Sequence, residues 1–570
     1  LRLRLRLKNS RRKNLRKLKN LVDVASGRKK ADAVIKNVDL VNVLTEEIYQ
    51  CDIAIYGNLI AGVGNYRGMK EIDGKGCLAV PGLIDGHTHI EMSMLTLSEF
   101  SKLVVPRGNT AVVADPHEIA NVLGREGILL MLEEAKTLPI RFFCMLPSCV
   151  PSSDLETSGA KIGIKDLEEL FNLEDVLGLA EVMDYSHVIS GDEEILSKIE
   201  IARPRPIDGH APFLSRKDLN AYVVAGIGSD HESITTDEAK EKLRLGMRVM
   251  VREGSMVRNL RDLRDIVKTG NRNVMLVTDG DRNLKDIFEE GYLDYVYRMA
   301  VEEGVDPLKA LQMCTLNPAT WFGLNCGQLT PGRYADIVLL RNLEKFEVKA
   351  VFIDGKRVDK IRKTFTYPEF AKNSVRAVKL KPDNLRIEQK GKCVRVMKLI
   401  EGEIATDEVV VEAEMALPER DILKLVVVER HTGSGRVGKG LVSGFGLKRG
   451  AIASSIAHDS HNIIAVGVDD ESICGAVNRV IELNGGIVVY DDSVKAEIQF
   501  EIAGLMTESS AEETLQKLER IHASIKELGC KLKSPLITLS FLALPVIPKL
   551  KVTDFGLVDV EKGEVVDIFV

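Results

Sequence analysis

Ten histidines occur in the chain, and four of them, His87, His89, His210 and His231, stand at the ends of apolar, strand-like runs. In a strand, residues i and i+2 project to the same side, so His87-Thr88-His89 presents two imidazoles to one cation. H-x-H alone recurs by chance, and its setting is what gives it weight. The run PGLIDGHTHIEMS places a Pro-Gly turn before an apolar stretch that ends in Asp85, His87 and His89. Glu181 interrupts the apolar run VLGLAEVM, and a buried carboxylate is costly unless it meets a cation or a donor. It reads either as a bridging metal ligand or as the partner of an interior arginine. Asp279 closes the run NVMLVTD, where it could both ligate a metal and take a proton from metal-activated water. These residue types point to metal-assisted hydrolysis.

Such residues need a scaffold that brings distant strand ends together. Eight strand-like runs alternate with amphipathic stretches: CLAVPGLID, NTAVVAD, IRFFCML, VLGLAEVM, RPIDGH, AYVVAGIGSD, MRVMVREG and NVMLVTD. Apolar strands separated by helices are the pattern of a helix-covered parallel sheet, and eight in this length match a closed (β/α)₈ barrel over residues 79–325. Before it, AVIKNVDLVNVL and DIAIYGNLIAGVG carry hairpin signals with a turn at Gly57-Asn58. After it, ADIVLLRNLEKFEVKAVFIDGKRV repeats the pattern with a turn at Asp354-Gly355. Residues 21–78 and 326–370 are therefore expected to form one small composite β-sandwich. A third unit, residues 371–570, reads as α/β.

Composition bounds the rest. At 570 residues, 45% hydrophobic and 28% charged with a mean hydropathy of −0.01, the chain is an ordinary multidomain globular protein. No apolar stretch is long enough to span a bilayer, so no membrane partner is expected. Nine scattered cysteines without a C-x-x-C pair suggest a reducing, cytoplasmic setting. Residues 1–20 hold ten Lys or Arg and no acid, leaving 68 basic against 84 acidic residues, or −16, for the remainder. A body so acidic repels nucleic acid, and the basic leader reads as a solvated tail or a start-site artefact, although the Leu-Arg alternation of residues 1–7 also fits an edge strand.

Several further motifs have simpler readings. His187, His431 and His522 are expected to be solvated or satisfied in a core. The run GSGRVGKG does not fit the phosphate-binding pattern, since Gly440 follows Lys439. His458 and His461 in AHDSHN have the spacing of a metal pair but would have to fold over the barrel mouth to join the site. His117 and Glu118, in DPHEIANV, lie after the second strand, near enough to that mouth to contact a substrate or an auxiliary metal, or to be an ordinary hydrogen-bonded loop pair.

PGLIDGHTHIEMS with His210, His231 and Asp279 resembles the amidohydrolase superfamily. VADPHEIANVLG, GLAEVMDY, IDGHAPFL, SDHES and ERHTGSGRVGKGLVSGFGLKRGAIASSIAHDSHNII together resemble the bacterial and archaeal adenine deaminase family within it, over nearly the whole chain from about residue 20. The resemblance implies two divalent metals, manganese or iron in preference to zinc. His87, His89 and Asp279 would hold one, His210 and His231 the other, and Glu181 would bridge where many relatives carry Lys. It implies attack of metal-bound hydroxide on C6 of adenine, giving hypoxanthine and ammonia in purine salvage, with Asp279 carrying the proton. Glu232, beside His231, would act as donor or proton shuttle, and His117 and Glu118 would contact the base. A homo-oligomer is expected. One departure is TDGDRN, where Gly280 stands in place of a second acid and Asp281 or Arg282 is left to supply its contact. The rival readings are a cyclic-amide hydrolase of the same superfamily and a non-catalytic barrel scaffold.

Overall fold

A computed structural model describes residues 2–400 and 402–570, with side chains from residue 14 onward. Residue 1 and the side chains of the Leu-Arg alternation lie outside the described residues. The backbone of that segment is helical, however, opening a helix at Arg2–Ala25 rather than an edge strand. Leu, Lys and Arg are good helix formers, and the helix end is held by packing of Leu21 and Val24 on Val34 and Ala54. The Tyr66 hydroxyl caps it by donating to the Ala25 carbonyl at 2.8 Å.

Two segments on either side of the central unit form one hydrogen-bonded sheet of eight strands among the described residues, not two separate sheets. Its long strand, Ala31–Asn42, pairs in its first half with Gly68–Asp73 and in its second with Leu78–Pro81. Leu78–Pro81 then pairs antiparallel with Ile337–Leu340, more than 250 residues later. The run CLAVPGLID is thus two strands. Gly82 breaks it, and Leu83–Thr88 starts the central unit.

The central unit is a TIM-barrel-like α/β arrangement. Parallel strands Leu83–Thr88, Asn109–Ala114, Arg141–Leu146, Val176–Val182 and Ile207–Gly209 form one arc, and Ser229–Asp230, Arg248–Arg252 and Val274–Val277 form another. Alternate side chains explain why both faces are apolar. Ala111 and Val113, with Met145, Ala180, Met250, Met275 and Val277, pack with one another inside, whereas Val112, Ala114, Leu276 and Val274 pack under the helices. The sixth strand is shorter than its apolar run, because Ala221–Ala225 end the helix Arg216–Ala225 and only Ser229–Asp230 pair. The arcs meet at two seams: Gly228 N donates to Ile207 O at 2.9 Å, and Asp279 N donates to His87 O at 3.0 Å. Arg141 fastens this unit to the outer sheet, donating to Asp336 and Asp354 at 2.6 Å each.

A second eight-stranded sheet lies in the C-terminal part, backed by helix Asp470–Glu482 and flanked by Ala511–Glu527. Gly438, in the glycine-rich run, sits in strand Val437–Ser443 where any Cβ would come within 1.7 Å of Thr553 O. That glycine serves close packing, and the amides of Thr432 and Ser434 are taken by the Glu429 carboxylate at 2.5 and 3.0 Å rather than left for a phosphate. Asp554 accepts from Thr157 N and Oγ1 at 2.8 and 2.6 Å, and Asn462 donates to Thr157 O at 2.8 Å, docking this part on the strand-end face of the central unit. Among the described residues no helix is long and apolar enough to cross a membrane.

Candidate metal centre and active site

The six residues singled out as ligands all come from C-terminal strand ends, where a parallel barrel-like sheet gathers them. His87 and His89 close the first strand, where the register slips between Asp85 and Thr88, a bulge of the kind that re-aims side chains. Glu181 belongs to Val176–Val182. His210 and His231 each follow directly on a strand, and Asp279 lies two residues past the last one.

Glu181 is the pivot. Its Oε1 faces His89 Nε2 at 3.5 Å and His87 Nε2 at 4.0 Å, while its Oε2 faces His210 Nδ1 at 2.8 Å and His231 Nε2 at 3.2 Å. Asp279 Oδ1 lies 3.1 Å from His87 Nε2 and 3.3 Å from His89 Nε2. Yet His87 Nε2 is a buried nitrogen with no hydrogen-bond partner. His210 Nδ1 bonds Glu181 Oε2, but the nitrogens of His87 and His89 and the oxygens of Asp279 and Glu181 still converge on a shared point, the arrangement a cation needs. The Asp115 carbonyl, 3.0 Å from His89 Nδ1, can only accept, so it fixes the proton there and leaves the Nε2 lone pair facing the cluster.

The charges agree. Burial alone would push the Glu181 carboxyl up, but His231 and His210 hold it well below the ordinary range. Burial opposes protonation of His89 as well, and Asp279 and Glu181 overcome it, raising its pKa to about 9. The carboxylates around them likewise raise His210 and His231 against their burial. The donor set of imidazoles and carboxylates suits a first-row divalent metal.

The chain matches the amidohydrolase family over residues 78–358 and the adenine deaminase C-terminal domain over residues 398–564. It is 59% identical over 555 residues to an adenine deaminase of Archaeoglobus fulgidus, covering 97% of this chain and 98% of that one. The chain belongs to the adenine deaminase family. Adenine deaminase of Dehalococcoides mccartyi is 44% identical over 95% of this chain and 98% of its own, and adenine deaminase 2 of Carboxydothermus hydrogenoformans is 43% identical over 97% and 100%.

In this adenine deaminase family member several working residues had no spacing signal. Arg252, the last residue of its strand, lies fully inside the site, with Nη1 2.6 Å from Asp279 Oδ2 and a two-pronged contact of 2.8 Å to both Glu232 oxygens. Glu232 is brought to His231 and His210 at 3.3 and 3.5 Å. Burial raises its carboxyl, but His210 and Arg252 more than compensate, so it is ionised and accepts rather than donates. Asp230 and Lys242 form a buried ion pair of 2.7 Å, and Asp230 also accepts from Ala211 N, Glu232 N and Ser233 N, setting the loop that carries His231. Asp85 accepts from Thr278 N and Oγ1 at 3.2 and 2.6 Å, tying the first strand to the last.

Other expected residues are placed differently. His117 Nδ1 faces Asp115 at 3.1 Å and lies 3.8 Å from Glu181, beside the cluster. Glu118 meets His458 Nδ1 at 3.0 Å and His461 Nε2, so the C-terminal histidines reach the mouth but not the six ligand candidates. A Cβ on Gly280 would come within 2.7 Å of the His89 carbonyl and 2.8 Å of its amide, which excludes a second acid there. Asp281 is occupied by the amides of Met256 and Val257, and Arg282 points away to Gly291 O and Glu290. His431 is satisfied by Ser460 O at 2.7 Å, and His187 pairs with Asp184 on the surface. A cavity of about 570 Å³ opens between the central and C-terminal parts, lined by Glu91, Glu118 and Gly280 on one side and by Ile456, His458 and His461 on the other.

Proposed function

We propose that this protein hydrolyses adenine to hypoxanthine and ammonia, on a closed eight-stranded barrel that begins at Leu83 rather than at residue 79 and runs to about residue 325, flanked by the composite β unit and the C-terminal α/β unit. The observation that carries the reading is Glu181, whose two oxygens face two separate histidine sets, in a chain of the adenine deaminase family. His87, His89, Asp279 and Glu181 would hold one divalent cation, and His210, His231 and Glu181 a second, with manganese or iron preferred. Bound there, the cations would supply a hydroxide nucleophile at neutral pH.

The side chains account for the remaining steps. Asp279 takes the proton of the attacking water through Oδ1, since Arg252 occupies Oδ2, and passes it to the departing amino group, which leaves as ammonia. Glu232, ionised and braced by Arg252, would carry the second proton of the water to N1 of the base, so that hypoxanthine leaves with N1–H and a C6 carbonyl. His117 bounds the cluster on the side of the second strand. The reading fits a cytoplasmic enzyme of purine salvage. It is tested by following ammonia release and the ultraviolet change from adenine to hypoxanthine with Mn²⁺-loaded protein. Turnover that disappears in Glu181→Gln together with bound metal is the expected result, and no ammonia from adenine would defeat it.

A further inference from the structure

One layer beneath the histidines, the interior of the central unit holds a carboxylate. Asp208 and Ser229 stand two residues before His210 and His231, on neighbouring strands. Ile207 packs under the helices, so strand alternation turns Asp208 inward, to the side of Met145, Ala180, Met250 and Val277. Asp208 is 1% exposed. Its Oδ1 accepts from Ser229 Oγ at 2.6 Å and from the indole N–H of Trp321, the single tryptophan of the chain, at 3.2 Å. Its Oδ2 is buried with no hydrogen-bond partner. Trp321 is itself held, packed on that interior layer with the Arg248 guanidinium 4.0 Å from its ring centre. A buried carboxylate oxygen left bare is costly, so this one calls for a donor. A complementary orphan lies in the layer above. His231 turns Nε2 to the cluster, 3.2 Å from Glu181 and 3.3 Å from Glu232, and its buried Nδ1 has no partner. An imidazole that ligates through Nε2 carries its proton on Nδ1, and that N–H nearly always meets a carboxylate, a carbonyl or water. His89 has the Asp115 carbonyl for this purpose, whereas His231 has none. His231 stacks on His87 with ring centroids 4.2 Å apart, and both imidazoles act on the Asp208 carboxyl against the rise that burial imposes.

We propose that Asp208 is a positioning residue of the metal centre: its Oδ2 accepts from Nδ1–H of His231 when Nε2 engages a cation, while Ser229 and Trp321 hold Oδ1 in place. The assignment rests on the reading of the cluster as a cation site. It sets one carboxylate beneath the junction of the two ligand sets, since His87 belongs to one set and its stacking partner His231 to the other.

The test is Mn²⁺ uptake by the metal-free full chain, measured by equilibrium dialysis. Asp208→Asn offers one oxygen where two are needed. With that oxygen on Ser229 and Trp321, the amide nitrogen meets Nδ1–H of His231 donor to donor and drives the ring to the tautomer with its hydrogen on Nε2. Mn²⁺ binding at His231 should weaken about 10- to 100-fold, the usual worth of such a partner. Adding Trp321→Phe removes the indole donor, so the amide can turn over, its nitrogen donating to Ser229 Oγ and its oxygen accepting from His231. The double variant should regain most of the affinity that Asp208→Asn loses, a recovery that a merely structural carboxylate does not give. Wild-type protein supplies a check that needs no variant at Asp208. With an isotope-labelled indole nitrogen, the one Trp321 N–H resonance should shift as diamagnetic Zn²⁺ binds, because its acceptor is drawn toward His231. Unweakened Mn²⁺ binding in Asp208→Asn, a double variant that binds no better, or an indole resonance indifferent to bound Zn²⁺ would overturn the proposal and leave the metal centre standing. Wild-type protein that takes up no metal would overturn both.

Discussion

Two buried groups of histidine and carboxylate sit within one mouth, and they are built on different principles. Around Glu181 the members come from strand ends of the two arcs of the central unit, and although His210 bonds Glu181 at 2.8 Å, His87 Nε2 stays without a hydrogen bond 3.1 Å from Asp279. Around Glu118 the partners come from two units and are mutually satisfied, with His458 and His461 each engaging a carboxylate oxygen. The first group is frustrated unless something binds between its members. The second is a latch whose free energy is already spent in docking. Similar residue types can therefore make either a centre for chemistry or a joint, and the difference lies in whether the lone pairs point at each other.

That contrast can be broken most forcefully at Asp279. Asp279→Asn should lower kcat by on the order of 10²- to 10⁴-fold, the usual worth of a general base, with the fold retained by thermal melting; a smaller loss would remove it from proton transfer. Next comes Arg252, which neutralises Glu232 and Asp279 together. Arg252→Met leaves two buried carboxylates facing each other and should cost about 3 to 5 kcal/mol in the metal-free protein. Loading with Mn²⁺ should recover much of that loss if the cluster is a cation site, and a recovery no larger than that of the wild type would count against it.

The latch has its own pH signature. Burial lowers the His461 pKa from 6.5 to about 4, so the folded chain refuses a proton that the unfolded chain accepts. Stability contributed at this site is intact above about pH 6.5 and is lost as pH falls toward 4, by at most about 3 kcal/mol. Melting curves of metal-free wild type and His461→Gln between pH 7 and 4 should diverge by that amount, and parallel curves would contradict it. Smallest is Gly280→Ala, which forces a side chain into a left-handed conformation at φ +66 and against the His89 backbone. A cost of about 1 to 2 kcal/mol, with weakened metal binding at His87 and His89, is expected from equilibrium dialysis and denaturation.

The six ligand candidates were legible because parallel strands report their own ends: an apolar run stops, and the next polar residue stands on the rim. His210 and His231 follow that rule. Arg252 obeys it too, but an arginine after MRVMV carries no spacing that distinguishes an interior brace from a surface charge. The Asp85–Thr278 link was silent because its residues meet only where the first strand lies beside the last, and the Asp230–Lys242 pair because nothing marks a lysine of the following helix as turned inward. The sixth strand was overread because the helix Arg216–Ala225 ends in the apolar run AYVVA, and a short apolar run has no period by which to choose. Gly280 looked like a departure only while the His89 backbone beside it was unseen.

The pairing of Leu78–Pro81 with Ile337–Leu340 bears on how the chain can be cut. A fragment beginning at residue 83 would strip that strand of its neighbour and leave a fully buried apolar ribbon, Ile-Val-Leu-Leu, with an open edge. Such an edge recruits other chains, so the catalytic portion cannot be trimmed from the front without inviting self-association, whatever remains of its reactive centre.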